Sequence, residues 1–504
     1  MSQLNDRATT VLTSLKDLES DRWLRVSIWL GLGSFLVSLI SYNFVDIDLW
    51  HQMALMRESL SAGHLLRADP YAYTPTIRPW IDHEWGAGAV AYFTTLWFGA
   101  RVLILLKFAL ALGTVAVSVK CARLRATDSS LVGVCALLAT FLSYLGFFAA
   151  VRAQAYSFFL TALLLLFLEQ DRKGSRAWIA AWLVLFPVWV NLHGGFVVAI
   201  GLIVLHILDE FIHSRPIRHL LVLFVTNTCE IFLNPYRMDY FSYLKRALVM
   251  VRPYSPEWRP VWDLGPAVTI AFIAAVIIAV YAVASAGVRR ASGMLVLAAT
   301  VLEGAMHRKL LPLFAVAWLC YIPSLLETTR LGDWVIQFTR RRVRFMRLAW
   351  TALACIGLVA ALRQKPWELS VPQPIYPVGP VEYLARHQFQ GNLMVPFRLG
   401  AYVSWKLFPA VKVSLDSRYE EVYSNEVVGS IFRFYDAVPE WRQVLDRYST
   451  DAVLLPADAA IASKMLESGW NGVYLDQQFQ LYLRPGRSVP FEDKRSSSFI
   501  GQFP

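Results

Sequence analysis

Apolar segments of about 20 residues recur through the first 363 positions of this 504-residue chain, and a helix of that length crosses a bilayer. Eleven of them are predicted to be membrane-spanning helices: 24–44, 101–120, 131–149, 154–169, 177–191, 194–213, 218–234, 265–287, 291–306, 310–327 and 345–362. Charged residues make up only 17% of the chain, whereas an ordinary soluble protein has about 25%. The sequence therefore predicts an α-helical polytopic membrane protein and excludes an ordinary cytosolic enzyme.

The charges between these segments predict the orientation of the chain in the membrane. One set of connections is short and basic, as at Arg340, Arg341 and Arg342, and basic connections face the cytoplasm. The net charge of +11 lies largely in such clusters, so no nucleic-acid partner is predicted. With eleven spans, the N-terminus is predicted to be cytoplasmic and the tail extracytoplasmic. The short apolar segment 86–99 is predicted to be an interfacial helix.

The tail, 364–504, differs in character from the rest of the chain. Short strand-like runs at 392–396, 412–415, 452–456 and 480–484 alternate with helical patterns. Such alternation is typical of a small α/β domain. The predicted domains are a transmembrane unit, 1–363, and a soluble periplasmic α/β unit, 364–504. The transmembrane unit includes a large outer connection, 45–100, which we call the first loop.

Polar groups are costly in a membrane protein and mark its function, and here they collect in the connections predicted to face outward. The first loop begins with Asp46, Asp48, Trp50 and His51 and ends near the stretch 82–85, Asp-His-Glu-Trp. The residues predicted to contact substrate are His51, Trp50, Asp82, His83, Trp85, Arg152, Gln154, His193, Tyr236, Glu257, Arg259, His307, Arg308 and Lys309.

Structural interpretations compete with these functional ones. The two aspartates could form a solvated helix exit, share a cation, or divide the work of a general base between them. Arg152 could extend to the membrane interface, and the basic trio 307–309 could be an interfacial anchor. Glu84 could pair with Arg78, and 193–195 could be a tight turn. The segment Asp416-Ser417-Arg418, at the end of a strand, is predicted to be a structural ion pair.

The polar set as a whole indicates one reaction class. Carboxylates of the first loop supply a general base, and arginine and lysine can neutralise a phosphate. Tryptophan rings offer flat apolar surfaces for a sugar or a prenyl chain. Glycosyl transfer from a lipid-linked phosphate to a hydroxyl uses all three, and its lipid donor explains why the enzyme would be embedded in a membrane.

In these features the chain resembles the membrane-integral glycosyltransferases of the C superfamily, which include protein mannosyltransferases and aminoarabinose transferases. The resemblance rests on the acids at 46 and 48, the run 56–63, and the Arg-Pro-Trp-x-Asp-His-Glu-Trp stretch at 78–85. The chain is also similar to a bacterial branch with an Asp-x-Asp-x-Trp motif, a Leu-His-Gly-Gly turn and an Asn-Pro-Tyr exit. It departs from the mannosyltransferase pattern, because Asp-Ile-Asp replaces the usual Asp-Glu pair.

The resemblance implies a polyprenyl-phosphate sugar donor, usually an inverting reaction, and a catalytic carboxylate in the first loop. Applied to this sequence, the resemblance implies that Asp48 or Asp46 is the base and that Glu84 or Asp82 is the second acid. Some members bind a divalent metal, for which Asp46, Asp48 and His51 are the candidate ligands.

The predicted protein is a bacterial inner-membrane glycosyltransferase that works at the periplasmic face among membrane lipids. It would move a sugar from undecaprenyl phosphate to a glycan, lipid or protein, with Asp48 as base and Asp46 in support. Arg152 and the trio 307–309 would receive the phosphate, while Trp50 and Trp85 would shape the sugar pocket. Two alternatives are a lipid or solute transporter or flippase, and a non-catalytic scaffold for envelope assembly. A transporter keeps its polar site near the midplane, whereas these groups lie toward one face.

Overall fold

A computed structural model of the protein describes residues 22–126, 128–147, 152–287, 291–365, 367–486 and 489–504, apart from the side chains of Glu420 and Ile500. The N-terminal segment 1–21, which is predicted to be cytoplasmic, lies outside these ranges. So do positions 148 and 149, at the end of the predicted span 131–149.

Helices dominate the described part of the chain between residues 22 and 363. In order they are α1 (Arg22–Ile40), α2 (Ile47–Ala62), α3 (Trp85–Phe98), α4 (Ala100–Arg123), α5 (Ser129–Ser143), α6 (Ala153–Arg172), α7 (Trp178–Leu192), α8 (Val197–Ile212), α9 (Arg218–Glu230), α10 (Asp239–Val249), α11 (Pro266–Ala286), α12 (Met294–Met306), α13 (Leu311–Leu326), α14 (Arg330–Arg341) and α15 (Val343–Arg363). The fold class predicted from the apolar runs is confirmed in this respect: the chain is mostly helical.

Seven helical segments of the described chain are long and apolar enough to cross a membrane. They are Arg22–Ile40, Ala100–Arg123, Ser129–Phe147, Gly194–Ile212, Pro266–Ala286, Arg308–Leu326 and Val343–Arg363.

The other four predicted spans also coincide with helices, but with helices less suited to spanning. Helix α6 carries Glu169, Asp171 and Arg172 at its end. Helices α7, α9 and α12 have 15, 13 and 13 residues, which is short of the length of about 20 that a straight span needs. The count of eleven spans stays a prediction, as does the interfacial position of α3.

Helix α13 lies at the centre of the bundle. Every residue of this helix except Ser324 is buried, which is typical of a helix that is apolar on all sides. It contacts α4, α5, α6, α11 and α12. Helix α15 lies at the periphery and approaches α1 closely at two glycines, since a Cβ on Gly31 would lie 2.6 Å from Trp350 and one on Gly357 would lie 2.7 Å from the Ser34 carbonyl oxygen.

The C-terminal region, 364–504, carries a mixed sheet. Its strands are β1 (Val371–Pro372), β2 (Gly391–Met394), β3 (Val411–Val413), β4 (Ala452–Pro456), β5 (Asn471–Leu475), β6 (Phe479–Leu483), β7 (Glu492–Asp493) and β8 (Ile500–Gly501). Its helices are α16 (Val378–Arg386), α17 (Gly400–Leu407), α18 (Tyr419–Val422), α19 (Asn425–Tyr435), α20 (Trp441–Arg447) and α21 (Ile461–Glu467).

Six of these strands form one sheet in the order β3-β2-β4-β6-β5-β7, and β1 pairs with β8 separately. Strand β2 runs parallel to β3 and β4, whereas β6 is antiparallel to β4 and β5. The four predicted strands correspond to β2, β3, β4 and β6. The sequence analysis missed β5, which begins with the turn-like pair Asn471-Gly472 and has an irregular register between Gly472 and Tyr474.

The first loop packs onto this sheet. The Tyr73 amide donates to the Val413 carbonyl at 3.1 Å, the Val413 amide donates to Tyr71 at 2.9 Å, and the Ile77 amide donates to Val422 at 2.8 Å. These bonds extend the β3 edge of the sheet into the first loop. The loop and the C-terminal region therefore share one core, which fixes the start of α2 against the segment that follows β3.

Candidate active site

A polar cavity of about 400 Å³ lies where the first loop, the helical bundle and the C-terminal region meet. All three parts of the chain contribute to its wall. The lining residues are Phe44, Asp46, Ile47, Asp48, His51, His83, Glu84, Arg152, Gln154, His193, Ser255, Pro256, Glu257, Arg308, Lys309, Ile375, Phe397, Arg398, Ser417, Arg418 and Glu421. Eleven of these are residues that the sequence analysis singled out as catalytic or substrate-binding.

The start of α2 positions the two aspartates. Asp46 is the N-cap of the helix, and its Oδ1 accepts a hydrogen bond from the Asp48 amide at 3.0 Å. An aspartate in this position satisfies an otherwise unpaired helix amide. Burial raises the pKa of Asp46 to about 7; Arg152 opposes this rise, and the nearby Asp48 charge adds to it. Asp48 lies in the first turn and faces the cavity.

Arg152, the residue before α6, contacts three carboxylates. Its Nε lies 3.3 Å from Asp46 Oδ1, its Nη2 lies 2.9 Å from Asp48 Oδ2, and its Nη1 donates to Glu257 Oε1 at 2.6 Å. The guanidinium is therefore occupied in holding the acids in place. Burial alone would raise the pKa of Glu257, but Arg152 and Lys309 lower it to about 2.

Two other cations reach the same part of the cavity. The Lys309 Nζ lies 3.7 Å from Glu257 Oε2 and 5.3 Å from the centre of the Trp258 ring. Arg308 lines the cavity and makes no ion pair with any residue that the structure describes. Arg308 and Lys309 are therefore better placed than Arg152 to meet an anionic ligand.

Glu84 is a buried carboxylate with three nitrogen partners. Gln52 Nε2 donates to its Oε2 at 2.5 Å, and the Nε2 atoms of His83 and His193 each lie 3.4 Å from its Oε1. Burial opposes the ionisation of this group. The contact with His83 and the charge of that ring outweigh burial and hold the pKa of Glu84 well below its usual range.

The hydrogen bonds of His193 assign its tautomer. Trp189 Nε1 donates to Ser157 Oγ at 2.7 Å, and the Gly195 amide donates to His193 Nδ1 at 3.0 Å. The Ser157 hydroxyl, 2.7 Å from the same Nδ1, is then its second donor. The ring proton therefore resides on Nε2, directed toward Glu84. Burial lowers the pKa of His193 to about 3, so the ring is neutral.

His83 lies between two carboxylates. Its Nδ1 is 3.0 Å from Glu421 Oε2 and its Nε2 is 3.4 Å from Glu84, while the ring stacks on Tyr243 with 4.9 Å between centres. Burial alone would lower the pKa of His83, but Glu421 and Glu84 hold it well above its usual value.

The sequence analysis missed the contribution of the C-terminal region to this wall. Ser417 Oγ lies 3.0 Å from His51 Nδ1, and Glu421 contacts His83. The predicted ion pair of Asp416 with Arg418 is confirmed, and the Arg418 Nη2 also donates to Asp69 at 2.6 Å. A cluster of charges directly after β3 was the one available signal, and it was interpreted as structural alone.

Three aromatic candidates lie away from the cavity wall. Trp50 is fully buried, with its ring 5.8 Å from the Tyr376 ring and 5.1 Å from the Tyr402 ring. Trp85 Nε1 donates to Asn191 at 2.9 Å, and the Tyr236 hydroxyl donates to the Leu66 carbonyl at 3.1 Å. These contacts join parts of the fold, and none of the three rings lines the cavity.

Three polar candidates also lie off the wall. Asp82 is half-buried and accepts a hydrogen bond from the Glu84 amide at 3.1 Å, so it shapes the turn. Arg259 is exposed, and its carbonyl accepts from the Arg308 amide at 2.9 Å. His307 Nδ1 lies 3.1 Å from the Trp258 carbonyl oxygen. Of the basic trio, only Arg308 and Lys309 face the cavity.

The candidate metal ligands do not converge. Asp46 and Asp48 are paired with Arg152, while His51 Nδ1 is 4.0 Å from Asp48 and closer to Ser417. Throughout the described ranges, no group of three or more His, Cys, Asp or Glu residues is arranged to hold a metal ion. The set therefore does not fit a divalent metal.

An apolar groove of about 290 Å³ adjoins the cavity. Leu145, Phe158, Leu264 and Pro312 supply its apolar wall. The groove and the polar cavity share the lining residues Arg152, Gln154, Glu257, Arg308 and Lys309. A charged junction thus separates a polar compartment from an apolar one.

Comparisons with known proteins give one informative likeness. No family model and no curated protein matches the chain. Among solved structures, it is similar to ArnT from Cupriavidus metallidurans bound to undecaprenyl phosphate, with a TM-score of 0.52 and 13% identity, and to the apo state of that protein, with a TM-score of 0.55 and 13% identity. Each match covers 91% of this chain and 97% of the other. At this identity the likeness concerns the fold, which the chain shares with ArnT over most of its length.

Proposed function

We propose that this protein is a glycosyltransferase that moves a sugar from a polyprenyl-phosphate donor, such as undecaprenyl phosphate, to a hydroxyl acceptor. The observation that carries the proposal is the continuity of the carboxylate-lined cavity with the apolar groove at Arg308 and Lys309. A lipid phosphate at this junction would extend its prenyl chain into the groove and its sugar into the cavity. The ArnT fold, solved with undecaprenyl phosphate, supports a lipid-linked donor.

Asp48 is the proposed general base. Its side chain is 18% exposed, whereas those of Asp46 and Glu84 are 9% and 11% exposed. Asp46 caps α2, and Glu84 already has three nitrogen partners and a low pKa, which makes it a weak base. Of the three acids that line the cavity from the first loop, Asp48 is the most exposed.

The reaction follows from these placements. Asp48 accepts the proton of the acceptor hydroxyl as the hydroxyl oxygen attacks the anomeric carbon. The bond from that carbon to the phosphate oxygen breaks, and its electron pair leaves on the phosphate. Arg308 and Lys309 stabilise the charge that develops there. Attack from the side opposite the phosphate would invert the anomeric centre.

Arg152 has a different role in this proposal from the one that the sequence suggested. Its three contacts fix Asp46, Asp48 and Glu257 relative to one another, so it orients the base and does not receive the phosphate. No step passes through a metal.

The proposed location is the bacterial inner membrane, with the cavity and the C-terminal region, 364–504, on the periplasmic side and the N-terminus in the cytoplasm. The positive-inside pattern supports this orientation. A glycan, a lipid or a protein is the proposed class of acceptor.

A transfer assay tests the proposal. Purified protein is reconstituted in liposomes with candidate glycan, lipid and protein acceptors and with a panel of undecaprenyl-phosphate-linked hexoses and pentoses that carry radiolabelled sugars. The wild type should release undecaprenyl phosphate from at least one donor, and Asp48→Asn should lower that rate by about a hundredfold or more. Asp263→Asn, which alters an exposed acid elsewhere, is the matched control. Inactivity of the wild type with every donor would contradict the proposed function, and full activity of Asp48→Asn would remove Asp48 from the mechanism.

A further inference from the structure

The segment 417–421 of the C-terminal region makes three polar contacts with the first loop. Ser417 Oγ is 3.0 Å from His51 Nδ1, Arg418 Nη2 is 2.6 Å from Asp69, and Glu421 Oε2 is 3.0 Å from His83 Nδ1. The short helix α18 carries Glu421, and the Ile77 amide bonded to Val422 holds that helix against the loop. The segment is therefore a fixed part of the cavity wall.

We propose that Glu421 is a positioning residue of this site, which acts by holding the His83 ring so that its Nε2 faces the Glu84 carboxylate. The inference rests on the proposed function, and it gives the C-terminal region a direct part in the reaction. It concerns a residue about 340 positions from His83 and Glu84, which no local motif connects to them.

The geometry fixes His83 on several sides. Glu421 contacts Nδ1, Glu84 contacts Nε2, and one face of the ring stacks on Tyr243. Gly194 closes the remaining edge, because a Cβ at that position would lie 2.9 Å from His83 Cδ2. Each ring nitrogen thus faces a carboxylate, an arrangement that favours the doubly protonated imidazole. Glu421 thus selects both the orientation and the protonation of the ring.

The charge of His83 in turn affects Glu84. The titratable groups that face His83 are Glu421, Glu84, Asp82, His193 and Tyr243. His193 is neutral, so His83 is the cation that compensates the buried Glu84 carboxylate. When Glu421 loses its charge, His83 deprotonates at a lower pH and keeps a single N–H. Glu84 then loses a donor or its compensating charge, and the wall next to Asp48 is rearranged.

The charge of His83 sets the direction in which the activity should depend on pH. His83 acts as a cation, so its compensation of the Glu84 charge is present below the folded-state pKa of His83. That compensation is lost as the pH rises through this pKa. Glu421→Gln lowers this pKa and should move the alkaline limb of the kcat/KM profile to lower pH. Glu421 lies away from the junction of cavity and groove, so kcat should fall while the KM for the lipid donor changes little.

The test compares two glutamates of the C-terminal region in the reconstituted transfer assay. Glu426, exposed on α19 and 3.0 Å from Arg447, provides the control Glu426→Gln. Glu421→Gln should lower kcat by about tenfold or more and shift the alkaline limb, whereas Glu426→Gln should match the wild type. Glu421→Asp, which keeps the charge, should restore the position of the limb in part.

The outcomes separate this inference from the proposed function. A wild type that transfers no sugar would contradict the proposed function. An active wild type with Glu421→Gln equal to Glu426→Gln in kcat and pH profile would contradict the positioning role. A loss of activity with an unchanged pH profile and a lowered unfolding temperature would also overturn it, because Glu421 would then act only on folding.

Discussion

Replacement of Arg152 by glutamine tests the electrostatic organisation of the cavity. The substitution removes the cation shared by Asp46, Asp48 and Glu257 and leaves three acids in one small volume. Removal of one partner of a buried ion pair costs about 3–5 kcal/mol. The Arg152 side chain is 23% exposed, and Lys309 stays near Glu257, so we expect about 2–3 kcal/mol here.

That loss should appear in both activity and pH dependence. If the whole loss raises the activation free energy of sugar transfer, about 2–3 kcal/mol lowers kcat by about 30- to 150-fold. Without Arg152, burial and mutual repulsion raise the pKa of Asp46 further above its present value of about 7. The ionised Asp46 carboxylate holds the Asp48 amide at the start of α2, so the acid limb of the kcat profile should move to higher pH with the pKa of Asp46.

The assay is the kcat–pH profile of reconstituted protein, with thermal unfolding as a check on folding. Arg259→Gln, which removes a neighbouring exposed arginine, should behave as the wild type. Arg152→Lys should restore only part of the rate, because an ammonium lacks the planar fork that meets several carboxylates at once. A folded Arg152→Gln variant within twofold of the wild type, with the same acid limb, would refute the reasoning.

Three further predictions concern the groove, the core and metal use. Leu264→Trp should fill part of the apolar groove and weaken undecaprenyl phosphate binding by about tenfold or more in a titration; unchanged affinity would place the lipid elsewhere. Trp50→Ala should destabilise the shared core by about 3–5 kcal/mol in denaturant unfolding, with kcat/KM of the folded fraction near that of the wild type; a selective loss of donor binding would return Trp50 to the sugar site. Treatment with EDTA should leave transfer unchanged, since Asp46, Asp48 and His51 do not converge; lost activity that added Mg²⁺ or Mn²⁺ restores would contradict this expectation.

The helices were predictable because lipid leaves the backbone few alternatives. A chain that crosses hydrocarbon must satisfy its amides and carbonyls internally, so each apolar run becomes a helix. Hydropathy does not fix whether a short helix such as α9 or α12 crosses the bilayer, because its 13 residues fall below the length of a straight span. Strand β5 was missed for a local reason, since Asn471 and Gly472 have the pattern of a turn.

The acids of the site were predictable, whereas their partners were not. Asp46 and Asp48 stand at the start of a helix beside a membrane, where charge is costly and therefore informative. The contact of His51 with Ser417 joins residues 366 positions apart. Only the docking of the first loop onto β3 creates it, and the same docking brings Glu421 to His83.

The surroundings of Trp50 and Arg152 could not be predicted for a related reason. A tryptophan next to acids has the local pattern of a sugar platform, but Tyr376 and Tyr402 bury it from the far end of the chain. Arg152 could be recognised as a cation of the site. Its occupation by three carboxylates, however, depends on Glu257, more than 100 positions away.

A density map of the purified protein with undecaprenyl phosphate bound tests the central claim most directly. The account predicts phosphate density within hydrogen-bond distance, about 3 Å, of Arg308 and Lys309. The prenyl chain should run along Leu145, Phe158 and Leu264, and the Asp48 carboxylate should face the side of the phosphate that would carry the sugar. Lipid bound at a site remote from Arg308 and Lys309, with the cavity and groove empty, would contradict it.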